Sequence, residues 1–235
     1  MNLILLFDAD FVAPNRVRLD GRRAGHVNTV HRAGVGDTLR VGRLNGGVGT
    51  GWVVSANDDR VELEVELDAA PPAPLALTLL LALPRPKSLK KILQAVTAMG
   101  VKNIFLLNTW RVERSFWSSP LLSDEALREQ LVLGLEQGRD TVLPAITLQP
   151  RFKPFVEDVL PALVSGSRAL VAHPAAAAAC PHRVPGPITL AVGPEGGFIA
   201  YEIESLQRLG FEPVSLGERP LRVEHAVPAL IGRLF

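Results

Sequence analysis

Ile188-Thr189-Leu190-Ala191-Val192-Gly193-Pro194-Glu195-Gly196-Gly197-Phe198 decides the fold. Five apolar or β-branched residues read as a buried strand. The Gly-Pro-Glu-Gly-Gly that follows cannot extend it, because one fixed φ sits among three permissive positions. A helix is predicted over Tyr201–Leu209, where Ile203 and Leu206 recur at helical spacing and Gly210 is a stop. Strand, glycine loop and helix in that order mark the place where α/β proteins bind ligands. It is not a Walker loop, since no Gly-Lys-Ser/Thr follows, and the spacing is not Gly-x-Gly-x-x-Gly. A second glycine loop, Leu216-Gly217-Glu218-Arg219-Pro220-Leu221-Arg222, follows another short apolar stretch, Pro213–Leu216, and precedes another helix. On neighbouring strands the two loops would form one cleft.

The pair Gly-Pro-Glu-Gly-Gly-Phe at 193–198 and Leu-Gly-Glu-Arg-Pro-Leu-Arg-Val-Glu-His-Ala at 216–226 resembles the C-terminal signature of the RsmE family. Its members are small-subunit ribosomal RNA uracil-N3 methyltransferases of the SPOUT class. The resemblance implies an α/β, trefoil-knotted domain that binds S-adenosylmethionine (SAM), preceded by a small PUA-like β-barrel. The domains expected are 1–70 for the RNA-binding barrel and 75–235 for the methyltransferase, with the knot and a dimer helix at its C-terminal end.

Composition sets bounds on this reading. A chain of 235 residues, 47% hydrophobic, can build one large core or two small ones. No apolar run approaches the roughly 18 residues of a membrane span, and Met1–Phe7 is short and lacks a basic leader. A soluble, cytoplasmic protein is expected. The single cysteine, Cys180, excludes an internal disulfide, and five scattered histidines show no ligand spacing, so no metal is expected. Net charge is +1, yet residues 14–43 carry seven Arg against two Asp, and residues 58–68 carry six acids against one Arg.

The first seventy residues read as strands at Leu3–Phe7, Thr38–Val41, Val48–Ser55 and Val61–Leu67, with Asn45-Gly46-Gly47 as a hairpin turn. Arg22–Arg32 reads as a helix. His26 and His31 invite a metal reading, but a separation of five does not put both on one α-helical face. The pattern His26-Val27, Val30-His31-Arg32, Gly36-Asp37 resembles the family's N-terminal domain. Basic side chains beside a small barrel suit phosphate contacts, and Arg22, Arg23, His26 and Arg32 are the candidates there. The same charges also fit a solvated face.

Ala69-Ala70-Pro71-Pro72-Ala73-Pro74 reads as the linker. Leu75–Leu83 reads as a strand buried on both faces, Lys87–Met99 as an amphipathic helix capped by Gly100, and Asn103–Leu107 as the next strand, which makes a βαβ unit. Between Arg85 and Arg114 lie seven Lys and Arg and one Glu, interleaved with Phe105 and Trp110 and followed by Phe116 and Trp117. Such a mixture holds phosphates and stacks bases, with Arg85, Lys87, Lys90 and Arg114 as the candidates. The alternative reading is a solvated helix with core aromatics. A further short helix near Phe155–Leu163 must bend or end at Pro161. Ala169–Ala172 reads as a strand, and the alanines at 175–179 as spacer.

Three departures from the family pattern stand out. The family's Thr-Glu-Leu-Gly-Val is Thr97-Ala98-Met99-Gly100-Val101 here, without the acid. Its Leu-Arg-Thr-Glu-Thr-Ala is Leu221-Arg222-Val223-Glu224-His225-Ala226, and Val cannot cap a helix. With Pro228 as well, the last helix is expected to start late or be distorted. Its apolar stripe of Val227, Leu230, Ile231 and Leu234 implies a partner helix, which the family's homodimer would supply.

The resemblance nominates site residues. For SAM these are His173, Pro174, Val192, Gly193, Pro194, Glu195, Gly196, Gly197, Leu216, Gly217, Arg219, Leu221 and Arg222. For catalysis they are Arg222, Glu224, Arg139 and Glu136, the last two from Glu136-Gln137-Gly138-Arg139. N3 of uracil carries a proton on the pairing edge, so the base must be unpaired or flipped. Arg222 or Arg219 would stabilise the developing anion, and Glu224, Glu136 or water would accept the proton. The implied substrate is 16S ribosomal RNA within the small subunit. A sister SPOUT enzyme with another rRNA or tRNA target, or a non-catalytic RNA-binding protein of this fold, are the alternatives.

Overall fold

A computed structural model describes residues 2–235, which form two compact units. The first comprises the described residues up to 73 together with 131–143, and the second residues 74–130 and 144–235. The division is therefore not contiguous: a segment expected to belong wholly to the second domain folds with the first.

In the first unit β1 (Ile4–Leu6), β2 (Phe11–Ala13), β3 (Arg16–Asp20), β4 (Thr38–Arg43), β5 (Val48–Ala56) and β6 (Arg60–Ala69) form one sheet in the order β1-β4-β5-β6-β3-β2. Only β1–β4 is parallel among these pairs. Side chains from five of the strands, such as Ile4, Val17, Val41, Val53 and Leu63, close on a single core. β1 is buried on both faces because its alternation serves two clusters: Ile4 and Leu6 enter that core, while Leu3 and Leu5 pack with Val132 and Leu135.

Strands β2 and β3 escape sequence reading, and β3 explains the charge pattern. In register Arg16 lies opposite Glu64 and Arg18 opposite Glu62, and both arginines bond Glu62 at 3.0 and 3.2 Å. The basic and acidic stretches are thus partly each other's partners across adjacent strands. The Glu62 carboxyl is held below its usual range, chiefly by Arg18.

The helix predicted over 22–32 is α1 (Gly21–His26), running into a π-helical turn at Val27–His31. A π turn bonds i to i+5 and so stacks residues five apart. The His26 and His31 rings therefore meet edge to face at 5.0 Å, contrary to the expectation from α-helical spacing.

The second unit is a parallel sheet of β7 (Leu77–Ala82), β8 (Asn103–Leu107), β9 (Ala145–Gln149), β10 (Arg168–Ala172), β11 (Ile188–Val192) and β12 (Glu212–Val214), in the order β12-β10-β11-β7-β8-β9. The chain builds outward from β7 to β9, then crosses to the other side of β7. β11 is buried along its whole length, as a central parallel strand requires. Its helices are α2 (Pro86–Ala98), α3 (Arg114–Trp117), α4 (Asp124–Gly138, whose residues from Leu131 belong to the first unit), α5 (Phe152–Pro154), α6 (Leu160–Val164), α7 (Ala200–Arg208) and α8 (Val223–Leu234). A π-helical turn at Phe155–Val159 joins α5 to α6, and Pro161 sits in the first turn of α6, where its missing N–H costs nothing.

Two expectations about α8 are overturned. It starts at Val223, without delay, and runs unbroken through Pro228. Arg222, in extended conformation, takes the N-cap, and its carbonyl accepts from the N–H groups of His225 and Ala226 at 2.9 Å each. The apolar stripe needs no second copy to cover it: Val227, Leu230, Ile231 and Leu234 are all buried within this chain, and α8 packs against α2. Among the described residues no helix is long and apolar enough to cross a membrane.

Candidate functional site

The C-terminal ends of β10, β11 and β12 meet at a cavity of about 360 Å³. This lies on the side of β7 where the strand order reverses, the position where open α/β sheets bind ligands. One wall is His173-Pro174 after β10, the second is the 193–198 loop after β11, and the third is residues 215–222 after β12. The first turns of α8 close it.

Main-chain bonds hold the three walls. The His173 N–H donates to Val214 O at 2.9 Å, and the Gly197 N–H to Pro194 O at 2.8 Å, closing a turn with Gly197 at φ +72°. The alanine run is more than spacer. Ala178 O accepts from the Ser215 N–H, and Ala179 bridges Ser215, so the run extends the sheet beside β12.

Every residue nominated for the cofactor lines this cavity except Gly196. Gly196 lies behind the wall. Arg111 donates from Nη1 to its carbonyl, and a Cβ there would come within 3.0 Å of Arg111 Cδ. Phe198, Val223, Ala226 and Leu230 line the cavity without having been foreseen. Val223 and Ala226 lay in the 216–226 signature and Leu230 in the apolar stripe, but none was nominated for the site.

Loops from neighbouring strands secure the glycine loop. Glu195 Oε1 accepts from the Arg85 N–H at 3.0 Å. Glu202, at the start of α7 and 2% exposed, accepts from the Ile199 N–H at 3.0 Å and from the Trp110 N–H at 2.7 Å.

The nominated catalytic residues divide. Arg222 lines the cavity and is exposed. Glu224 follows in the first turn of α8, where its carboxylate accepts from its own main-chain N–H and from Ser88 Oγ at 3.1 Å. These bonds, the main-chain one foremost, hold its carboxyl below the usual range. Glu136 and Arg139 fold with the first unit and are not part of the cavity lining. Glu136 is 2% exposed and both its oxygens are bonded to Arg22 at 2.9 Å. Arg139 is the left-handed residue just past α4, at φ +57°. Within this chain the Glu136 carboxylate is thus buried, with both oxygens engaged by Arg22.

The RNA candidates divide in the same way. The Arg22 guanidinium is joined to Glu136, and that of Arg23 to Asp10 and Leu5 O, over the Phe7 ring at 4.7 Å. These two hold the first unit together. Arg32 is exposed and left-handed at the end of the π turn, and His26 is half-buried beside His31. In the second unit Arg85, Lys87, Lys90 and Arg114 are all exposed. Among the described residues no three His, Cys, Asp or Glu stand close enough to hold a metal ion.

The cavity lining combines apolar side chains with bare backbone and the exposed Arg222. Leu216, Leu221 and Leu230 offer apolar surface, and Gly197 and Gly217 present bare backbone with no atom within 4 Å of a notional Cβ. Residues 71–234 match the family model described as an RNA methyltransferase domain. The chain is 28% identical over 238 residues to ribosomal RNA small subunit methyltransferase E of Treponema pallidum, covering 96% of this chain and 88% of that protein. It is 29% identical over 225 residues to the protein of that name from Synechocystis, covering 93% and 72%. Two solved structures share the fold at a TM-score of 0.73 and 22% identity. One is a methyltransferase from Legionella pneumophila in complex with SAM, with 98% and 96% of the two chains covered. The other is ribosomal RNA small subunit methyltransferase E from Neisseria gonorrhoeae bound to SAM, with 98% and 95% covered.

Proposed function

Since the chain belongs to the RNA methyltransferase domain family, we propose that it transfers a methyl group from SAM to N3 of a uridine in 16S ribosomal RNA. The observation that carries this reading is the convergence of three loops, following three neighbouring strands, on one cavity at the strand-order reversal. The relatives named for small-subunit ribosomal RNA support the substrate. The glycine loop 193–197, residues 216–222 and His173-Pro174 would hold SAM, which supplies an electrophilic methyl group when bound.

The protein's own part is positioning and charge. Arg222, fixed as the N-cap of α8 at the cavity, stabilises the negative uracil that forms as N3 loses its proton. Glu224 is a poor proton acceptor, because its carboxyl is held below the usual range and Ser88 fixes it in place. Its role is to hold the start of α8 and thereby Arg222. With Glu136 bonded to Arg22, water is the acceptor of the N3 proton.

The first unit is read as the PUA-like RNA-binding domain, and the segments at 193–198 and 215–222 as the crossing of a trefoil knot. A cytoplasmic homodimer acting on the small subunit completes the picture implied by the RsmE resemblance. The test is incubation with tritiated-methyl SAM and small subunits lacking their own uracil-N3 methylation, followed by nucleoside analysis. Label on N3-methyluridine is expected. Label on another nucleoside would assign the chain to a different RNA target, and absence of both label and SAM binding would overturn the proposal.

A further inference from the structure

We infer that Trp110 is a stacking platform for an unpaired RNA base, held beside the cavity by Glu202 and Arg111; the inference rests on the RNA-methylating reading above. Four aromatics accompany the basic stretch of the second unit, and the structure separates them. Phe105 packs on Phe155 at 5.8 Å, Trp117 donates Nε1–H to Asn108 Oδ1 at 3.0 Å, and Phe116 is half-buried. Trp110 is 80% exposed.

The exposure does not come from a loose loop. The Asn108 N–H donates to Gln149 O and its side-chain amide to Pro150 O, while the Val112 N–H donates to Thr109 O and Val112 is buried. The Trp110 N–H itself is held by the buried Glu202. The next residue, Arg111, lies over Gly196 and bonds its carbonyl. A large ring is thus presented to solvent from a hydrogen-bonded backbone, one residue along the chain from Arg111, which bonds the loop that walls the cavity.

A rigid ring loses little conformational freedom on binding, and every base has a π-face to lay on it. Arg111 in the same loop and Arg114 at the start of α3 are exposed and suit the phosphates on either side. The occupant is therefore a single-stranded segment of RNA. Because N3 lies on the pairing edge, the target must leave its helix, and stacking a neighbouring base on Trp110 would keep that segment open.

The test titrates wild type, Trp110→Phe and Trp110→Ala with a single-stranded oligouridylate, following binding by tryptophan emission in the wild type and by fluorescence anisotropy of a labelled oligonucleotide in all three. Emission quenching in the wild type is expected. Trp110→Ala is expected to bind about 5- to 150-fold more weakly, the factor one stacked base contributes, and Trp110→Phe to recover most of that. SAM affinity of all three should agree, since the side chain is exposed and not in the cavity. Equal affinity of Trp110→Ala and wild type would overturn the platform, and so would a wild type that does not bind the oligonucleotide. Methyl transfer by the wild type is read separately: its absence beside a persistent Trp110 effect would reject the methylation reading and leave the platform standing.

Discussion

Arg22 and Glu136, 114 residues apart in sequence, form a two-pronged ion pair with both contacts at 2.9 Å, in which the carboxylate is buried and the guanidinium half in solvent. The Glu136 carbonyl also accepts from the N–H groups of Asn2 and Leu3 at 3.0 Å, so one residue at the end of α4 fixes the strand β1. Arg22→Ala leaves a buried carboxylate without its guanidinium and is expected to destabilise the protein by about 1–3 kcal/mol. Chemical denaturation would measure this. SAM affinity should not change, which separates the structural part of Arg22 from a part in the site.

Gly193 has no room for a side chain. A Cβ would come within 3.0 Å of the Phe198 main-chain nitrogen and 3.1 Å of its ring, and Phe198 is buried. Backbone cannot yield as a flexible side chain can. Gly193→Ala is expected to cost about 1–3 kcal/mol by overpacking and to shift the wall of the cavity. Calorimetric titration with SAM should show about a tenfold loss of affinity, equivalent to about 1.4 kcal/mol.

Glu224 gives a pH signature. Its folded carboxyl titrates below the ordinary value of 4.5, chiefly through its own main-chain N–H, so the stabilisation is complete above that value and is lost as pH falls through the folded pKa. Glu224→Gln is therefore expected to lower stability at neutral pH and to narrow its gap to wild type below 4.5. Thermal melts across acid pH would check this, and a gap that widens on acidification would reject the assigned charge.

Cys180 is 1% exposed, and burial pushes its thiol above the usual range. Native protein is expected to react with a thiol reagent more slowly than unfolded protein, on the order of a hundredfold. Arg233 Nε donates to the Cys180 carbonyl at 2.6 Å, tying the end of α8 to this loop. Arg233→Ala should accordingly speed the labelling, which a time course in native buffer would detect.

Local pattern alone determined much of this protein. The strands at 103–107 and 188–192 appear at the residues their apolar runs predict, the second because burial on both faces of a parallel sheet leaves an uninterrupted signal. The glycine loops were legible for a similar reason: they cannot continue a strand, and the residues that stop it are those that line the cavity. What tertiary structure alone decided was who faces whom. The arginines of 14–43 looked like a surface for phosphates, yet Arg16 and Arg18 meet Glu62 across a sheet whose register no single segment encodes. The stripe of α8 looked like half of a dimer, but α2, more than a hundred residues earlier, covers it. The sequence could not say that Arg22 engages both oxygens of Glu136, and Trp110 was one aromatic among four until Phe105 and Trp117 found partners and Phe116 was half-buried. Periodicity reports which side of an element is apolar, whereas the partner of a charge or a ring is set by contacts between residues distant in the chain, which exist only once the whole has folded.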